Sequence, residues 1–203
     1  MRKIIVDKIM KNINNNCNFN EVKTAEIKYG IESFYLFITK TIVILSLAFV
    51  LGIIKEILML LFFYNLLRMS GFGVHAMKSW QCWCSSIIIF LGIPMLMRII
   101  DVPLYLVLTI SVICLLLIIK YAPADTEKRP ILSPKRRKKF KILCSLTAVV
   151  YIMLIIFVNI EILRYSLMFS LVIETFMLLP ISYKIFGAKY NNYKSYLNQV
   201  QVQ

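Results

Sequence analysis

An all-α membrane helix bundle with about six apolar segments, one of them short or re-entrant, is the fold class this sequence predicts. Three observations carry that expectation. Hydrophobic residues make up 60% of the 203 and charged residues only 17%, far from the roughly 45–50% and about 25% of a soluble domain. The apolar residues come in long unbroken runs, not in the alternation that barrel strands need. The charge is lopsided, with 24 Lys and Arg against 10 Asp and Glu and a net +14. A water-soluble globule is excluded. In a membrane protein a basic excess reports topology before it reports nucleic acid, because cytoplasmic loops accumulate Lys and Arg.

The segments read in order as follows. Residues 1–32 form a cytoplasmic or interfacial N-terminal segment. Ile4, Ile5, Ile9, Met10 and Ile13 give it an apolar helix face, with Lys3, Lys8 and Lys11 elsewhere, and the Asn-rich stretch Asn12–Asn20 reads as a loop that ends it. Nothing at Met1–Lys11 resembles the apolar core of a cleavable signal. Apolar runs follow at Ser33–Ile54, Ile57–Leu67, Trp83–Ile100, Pro103–Ile119, Ile142–Val158 and Ser166–Tyr183. About 20 helical residues cross the hydrocarbon. Ile57–Leu67 is therefore a half-span or re-entrant piece unless it borrows the residues after it. Helices are the expected form because each satisfies its own backbone polar groups in lipid.

Placing the N-terminal segment, the loop 120–141 and the tail 184–203 on one side puts twenty of the twenty-four basic residues there, Arg68 and Lys78 included. That side is expected to be cytoplasmic, with both termini on it. The other side keeps tight turns at Lys55–Glu56, Asp101–Val102 and Asn159–Tyr165. No internal repeat supports a transporter of inverted halves. Lys40 and Arg98 sit near span ends and are expected to snorkel. Cys114 and Cys144 lie inside apolar runs as small buried hydrophobes, and the five cysteines have no disulfide framework spacing.

The stretch from Arg68 to Cys84 is the most unusual. It holds the single histidine, His75, two glycines at 71 and 73, and Cys82 seven residues beyond the histidine. Imidazole and thiol are the minimum pair for thiol nucleophilic catalysis, in which the base takes the thiol proton and the thiolate attacks a carbonyl. The same residues also suit a plain interfacial histidine and a packing cysteine. On a straight helix a spacing of seven means about 10.5 Å of rise. A working pair therefore requires the backbone between Val74 and Cys82 to bend, with His75 on a loop and Cys82 near a helix start, where the dipole favours a thiolate. One histidine and the C-x-C pair Cys82/Cys84 do not make a zinc site, and no metal or other cofactor is expected.

Two further features stand out. The loop Lys120–Pro134 carries prolines at 123, 130 and 134 and leads into Lys135-Arg136-Arg137-Lys138-Lys139. That cluster reads as a topology signal touching anionic lipid or as a docking surface for an acidic peptide. Glu174, inside the last run, is costly in hydrocarbon and should face a polar cavity or a partner.

Three pieces of the chain resemble the AgrB family of membrane endopeptidases in Gram-positive quorum sensing. They are Gly73-Val-His75-Ala76 with Cys82 following, Tyr121-Ala-Pro-Ala-Asp-Thr-Glu-Lys-Arg-Pro130 with the basic cluster, and Glu174-Thr-Phe-Met-Leu-Leu-Pro180. The resemblance implies a membrane cysteine endopeptidase that cuts an AgrD-like propeptide on the C-terminal side of its signal core. Cys82 would be the acyl-enzyme nucleophile and His75 its base, and the thioester would pass to a peptide thiol to give a thiolactone. Such propeptides end in an acidic tail. Arg68, Lys135, Arg136, Arg137, Lys138, Lys139 and Glu174 are the candidate propeptide contacts, with a homodimer as the expected assembly and nucleic acid not expected as a partner. Relatives commonly carry two adjacent glycines before the x-His-Ala, whereas Phe72 separates Gly71 from Gly73 here. Asn65 and Ser70 are candidates for orienting His75. The alternative is a small exporter or channel lined by Glu174 and the polar stretch, with no peptidase activity.

Overall fold

A computed structural model describes residues 2–16, 20–74, 76, 78–126 and 131–193. Cys17, His75, loop residues 127–130 and tail residues 194–203 lie outside the described residues. The chain divides into two compact units, Met1–Val50 and Leu51–Gln203.

The first unit holds α1 (Arg2–Asn16) and α2 (Glu21–Val50). Helix α1 runs on through Asn12–Asn16, which the sequence assigns to a loop. Among its described side chains, Val6 and Met10, one turn apart, are buried, while Ile9 is exposed. Asp7 meets Lys28 of α2 at 3.5 Å. Helix α2 is unbroken across residue 32, so the N-terminal segment leads into the first apolar span, Gly30–Val50, without a boundary.

The second unit contains α3 (Ile54–Gly71), α4 (Ser79–Ile87), a π-helical turn (Ile88–Gly92), α5 (Ile93–Ile99), α6 (Leu104–Tyr121), α7 (Pro134–Phe157), α8 (Glu161–Leu178) and α9 (Pro180–Phe186). Besides α2, the stretches Trp80–Ile99, α6 and α7 are long and apolar enough to cross a membrane, and α8 with α9 adds a fifth if that bent pair is one span. These helices fit a multi-pass membrane protein.

Several boundaries differ from the sequence reading, each for a local reason. The first turn falls at Leu51–Ile53, not Lys55–Glu56, because Gly52 takes the left-handed conformation at φ +69°. Glu56 thereby enters the first turn of α3, where a carboxylate suits the helix dipole. The short run Ile57–Leu67 is extended at both ends, by Ile54–Glu56 and by Arg68–Gly71, into an 18-residue helix of about 27 Å. Helix α7 opens at Pro134, well before Ile142, so the basic cluster rides on its first two turns and is not loop. Proline suits that opening position, and Lys and Arg are good helix formers. Glu161–Tyr165, expected in a turn, belongs to α8. The last run breaks between α8 and α9 with a 71° bend, since Leu179 before Pro180 is held in extended backbone.

The core gathers α3, α6, α7 and α8. Helices α6 and α7 each bury one narrow stripe, Val107–Ser111–Cys114–Ile118 and Cys144–Ala148–Tyr151–Ile155, at spacings of three and four. Their other faces expose Leu106, Ile113, Leu116, Leu143, Leu146 and Val150, as expected where lipid is the solvent. Helix α8 is buried over most of its length, from Tyr165 to Leu178. Tyr151 satisfies its hydroxyl in this interior by donating to the Phe63 carbonyl at 2.7 Å.

One end of this unit is closed by Arg98, which meets Glu56 at 2.7 Å and also donates to the Gly52 carbonyl. Arg98 thus joins α5 to the start of α3, beyond the snorkelling expected of it. Nearby the Tyr165 hydroxyl accepts from the Val102 N–H at 3.0 Å.

Candidate functional site

The opposite end of the second unit is where α3 stops, α4 starts, and the ends of α6 and α8 meet the opening of α7. Helix α3 ends with the Phe72 N–H donating to the Arg68 carbonyl. The next two residues both take positive φ, Phe72 at 64° and Gly73 at 79°. This turns the chain away from the helix axis.

Three backbone hydrogen bonds then pin the turn. The Gly73 N–H donates to the Ala124 carbonyl at 2.8 Å, the Ala124 N–H to the Gly71 carbonyl at 3.1 Å, and the Val74 N–H to the Met177 carbonyl at 3.0 Å. Glycine is required twice. A Cβ at Gly73 would stand 2.7 Å from the Met177 carbonyl oxygen, and one at Gly71 would stand 3.0 Å from the Glu174 carboxyl carbon and 3.3 Å from the Cys144 sulfur. The Phe72 side chain packs edge-on against Phe140 of α7, with ring centroids 4.8 Å apart.

Arg68 reaches back over the same turn. Its Nη2 donates to the Val74 carbonyl at 2.6 Å and to Gly73 at 3.3 Å, while its Nη1 lies 3.7 Å from the Glu174 carboxylate. Glu174 is fully buried, and neither of its oxygens accepts a hydrogen bond among the described residues. The partner expected for Glu174 is therefore Arg68.

Helix α4 follows at Ser79. The Gln81 side chain accepts from the Lys78 N–H at 3.1 Å, and the Cys82 N–H makes an early helical bond to the Lys78 carbonyl at 3.2 Å. Cys82 thus sits in the opening turns of α4, half-buried, after a non-helical passage through Phe72–Val74, Ala76 and Lys78. His75, the expected base for Cys82, lies outside the described residues. Cys84 is exposed, and Cys114 and Cys144 are buried thiols. Asn65 donates to its own helix at Leu61, and the Ser70 hydroxyl donates to Leu67.

The basic cluster divides by direction. Lys135, Arg136, Lys138 and Lys139 are exposed, whereas Arg137 turns inward. Its guanidinium lies 3.7 Å from Asp125, donates to the Pro123 carbonyl at 3.4 Å and stacks on Tyr193 at 3.6 Å. Burial pushes the Tyr190 phenol beside this cluster upward, with Arg137 pulling it back. Asp125 and Tyr183 lie within stretches that the sequence marks, but neither they nor Tyr193 are among the expected site residues. A carboxylate in a basic loop carries no pattern that marks it as buried.

The profile described as "Accessory gene regulator B" matches residues 3–178. The chain belongs to the AgrB family. Among AgrB relatives, a putative AgrB-like protein of Clostridium acetobutylicum is 29% identical over 89% of this chain and 87% of its own length. An accessory gene regulator protein B of Staphylococcus epidermidis is 30% identical over 81% and 84%. A putative AgrB-like protein of Listeria innocua is 26% identical over 84% of each. No solved structure matches the chain. The pinned turn, the start of α4 and Glu174 all fall within the AgrB match, while α9 and the segment to Tyr193 lie beyond it.

Proposed function

We propose that this chain is a membrane cysteine endopeptidase that processes an AgrD-like quorum-sensing propeptide, with Cys82 as nucleophile and His75 as base. The observation that carries the reading is the position of Cys82 in the opening turns of α4, directly after a turn held by Gly71, Gly73, Arg68 and Ala124. A nucleophile there is presented by a rigid element, and the N–H groups of Ser79 and Trp80, ahead of the first helical bond at Cys82, have no acceptor within the helix. They are suited to stabilise an oxyanion developing at the attacked carbonyl.

The steps balance as follows. His75 takes the Cys82 proton, and the sulfur adds to the scissile carbonyl on the C-terminal side of the signal core. The C–N bond breaks, and the proton passes from His75 to the leaving amine. The signal half remains as a thioester on Cys82 until a cysteine thiol of the peptide attacks that carbonyl, closing a thiolactone and returning the Cys82 thiol. Exclusion of water favours this exchange over hydrolysis. Lys78, Lys120, the start of α7, Lys184 and Lys189 gather at this end, while the other end has Lys55, Arg98 and Arg164 beside Glu56, Asp101 and Glu161. By the positive-inside rule this end faces the cytoplasm, where a new propeptide and anionic lipid meet it.

The test is intact mass of the full-length protein coexpressed with an amphipathic, acidic-tailed propeptide. A hydroxylamine-labile adduct in wild type and Cys84→Ala, lost in Cys82→Ala and His75→Ala, is the expected result. If wild type and all three variants behave alike, with a genuine propeptide present, the peptidase reading gives way to a transport role.

A further inference from the structure

We infer that Asp125 is a positioning residue for the reactive turn, held by the C-terminal segment and by Arg137, and that Arg137 is part of this support while its four exposed neighbours are not. The inference rests on the peptidase reading for its catalytic consequence but on geometry for its content.

Asp125 is an acid in a strongly basic end of the molecule, yet it is almost wholly buried. Three elements converge on it. The Tyr193 N–H donates to its Oδ2 at 2.9 Å, the Arg137 guanidinium lies 3.7 Å from the same oxygen, and the Tyr183 hydroxyl donates to its carbonyl at 2.9 Å. Arg137 and Tyr193 are further joined by stacking at 3.6 Å, and Tyr183 and Tyr190 by edge-on rings 5.0 Å apart. A carboxylate removed from water must be compensated by charge and N–H donors, and here both come from outside its own loop.

The neighbouring residue is what makes this matter. Ala124 forms the two-bond bridge with Gly71 and Gly73, which holds the chain two residues before His75. Fixing Asp125 from three sides fixes Ala124, and Ala124 fixes the turn. The loop motif Tyr121–Thr126 then has a physical task, and so does the segment Tyr190–Tyr193 beyond the AgrB match. The same geometry separates Arg137 from Lys135, Arg136, Lys138 and Lys139, which point outward. Neutralising those four should weaken propeptide capture, whereas disturbing Arg137 or Asp125 should slow the chemistry of captured peptide.

The test uses full-length protein carrying Asp125→Asn, Asp125→Ala, Arg137→Gln, Arg137→Lys or Tyr193→Ala, reconstituted in lipid with the propeptide. Adduct formation on Cys82 is followed against propeptide concentration. In parallel, hydrogen exchange at the Gly73 and Val74 amides is read without propeptide. Expected are a tenfold or greater fall in the saturating rate for Asp125→Ala and Arg137→Gln, a half-saturating concentration within threefold of wild type, partial recovery in Arg137→Lys, and faster exchange at both amides. Tyr193→Ala, which keeps its N–H, should give a smaller change in the same direction. Unchanged exchange in Asp125→Ala and Asp125→Asn overturns the inference, as does a raised half-saturating concentration in Arg137→Gln with an unchanged saturating rate. If wild type forms no adduct but the variants exchange faster, the peptidase reading fails and the support role of Asp125 stands.

Discussion

Arg68 and Glu174 face each other 3.7 Å apart inside the helix bundle, and the same guanidinium holds the Gly73 and Val74 carbonyls. One side chain thus joins α8 to the turn that precedes α4. Removing one partner of a buried pair leaves the other uncompensated, at a cost of about 3–5 kcal/mol. Glu174→Ala is expected to lower the unfolding midpoint clearly and to slow Cys82 adduct formation. Arg68→Lys should do so nearly as much, because an ammonium lacks the planar fork that serves carbonyl and carboxylate at once. Thermal unfolding and adduct kinetics on the same preparations check both. An exporter lined by Glu174 would show the reverse ranking, with transport lost in Glu174→Gln and intact in Cys82→Ala.

Phe72 stands at φ +64° where a glycine would be unstrained. Its aryl group offsets that strain through the contact with Phe140, a pair worth about 0.5–1.5 kcal/mol. Phe72→Gly exchanges one for the other and should fall within about 1 kcal/mol of wild type. Phe72→Ala keeps the strain and loses the ring, so it should be the less stable of the two. Gly73→Ala has no such compensation, since its Cβ would meet the Met177 carbonyl, and adduct formation should be nearly abolished. Unfolding midpoints for the three variants decide the order, and a Phe72→Ala more stable than Phe72→Gly would contradict the strain argument.

The long apolar runs made α6 and most of the other helices visible in the sequence, because hydropathy alone marks what lipid will solvate. The break between α3 and α4 has a local signal in Gly71 and Gly73, whereas a bend that joins His75 to Cys82 is an expectation only of the catalytic reading, and His75 lies outside the described residues. The start of α7 was not legible, because lysines and arginines that read as loop are equally good helix formers. Arg98 reads as snorkelling because it stands near a span end, and its partner Glu56, 42 positions away, leaves no local signal. Asp125 was missed for the same reason. Its burial is made by Tyr183, Arg137 and Tyr193, and no local pattern links them.

Lys135, Arg136, Lys138 and Lys139 stand exposed on the first turns of α7, where positive charge opposes the helix dipole. Their side chains suit a helix but their charge does not suit this end of it, and a surface for acidic peptide or lipid gives that charge a use. Replacing all four with Gln should raise the half-saturating propeptide concentration by about tenfold at low salt, with the difference shrinking at higher ionic strength as screening grows. A penalty that does not depend on salt would show that the four residues act through structure and not through charge.

Cys84 is exposed two residues beyond the half-buried Cys82. A bulky maleimide should modify Cys84 first, and Cys84→Ser should leave the propeptide adduct at wild-type yield. Adduct lost in Cys84→Ser but kept in Cys82→Ser would exchange the roles assigned to the two thiols.

Arg98 offers the control that Arg68 lacks. It too pairs with a glutamate and donates to a backbone carbonyl, but at the far end of the unit, and its side chain is about half exposed. Solvent screening limits such a pair to about 1 kcal/mol or less. Arg98→Ala should lower the unfolding midpoint slightly and leave the saturating adduct rate at the wild-type value. If Arg98→Ala slowed adduct formation as strongly as Arg68→Lys, any loosening of α3 would suffice to disable Cys82. The hold of Arg68 on Gly73 and Val74 would then have no special place in the chemistry. A slowed Arg68→Lys beside an unaffected Arg98→Ala, matched for stability, localises the effect to the turn.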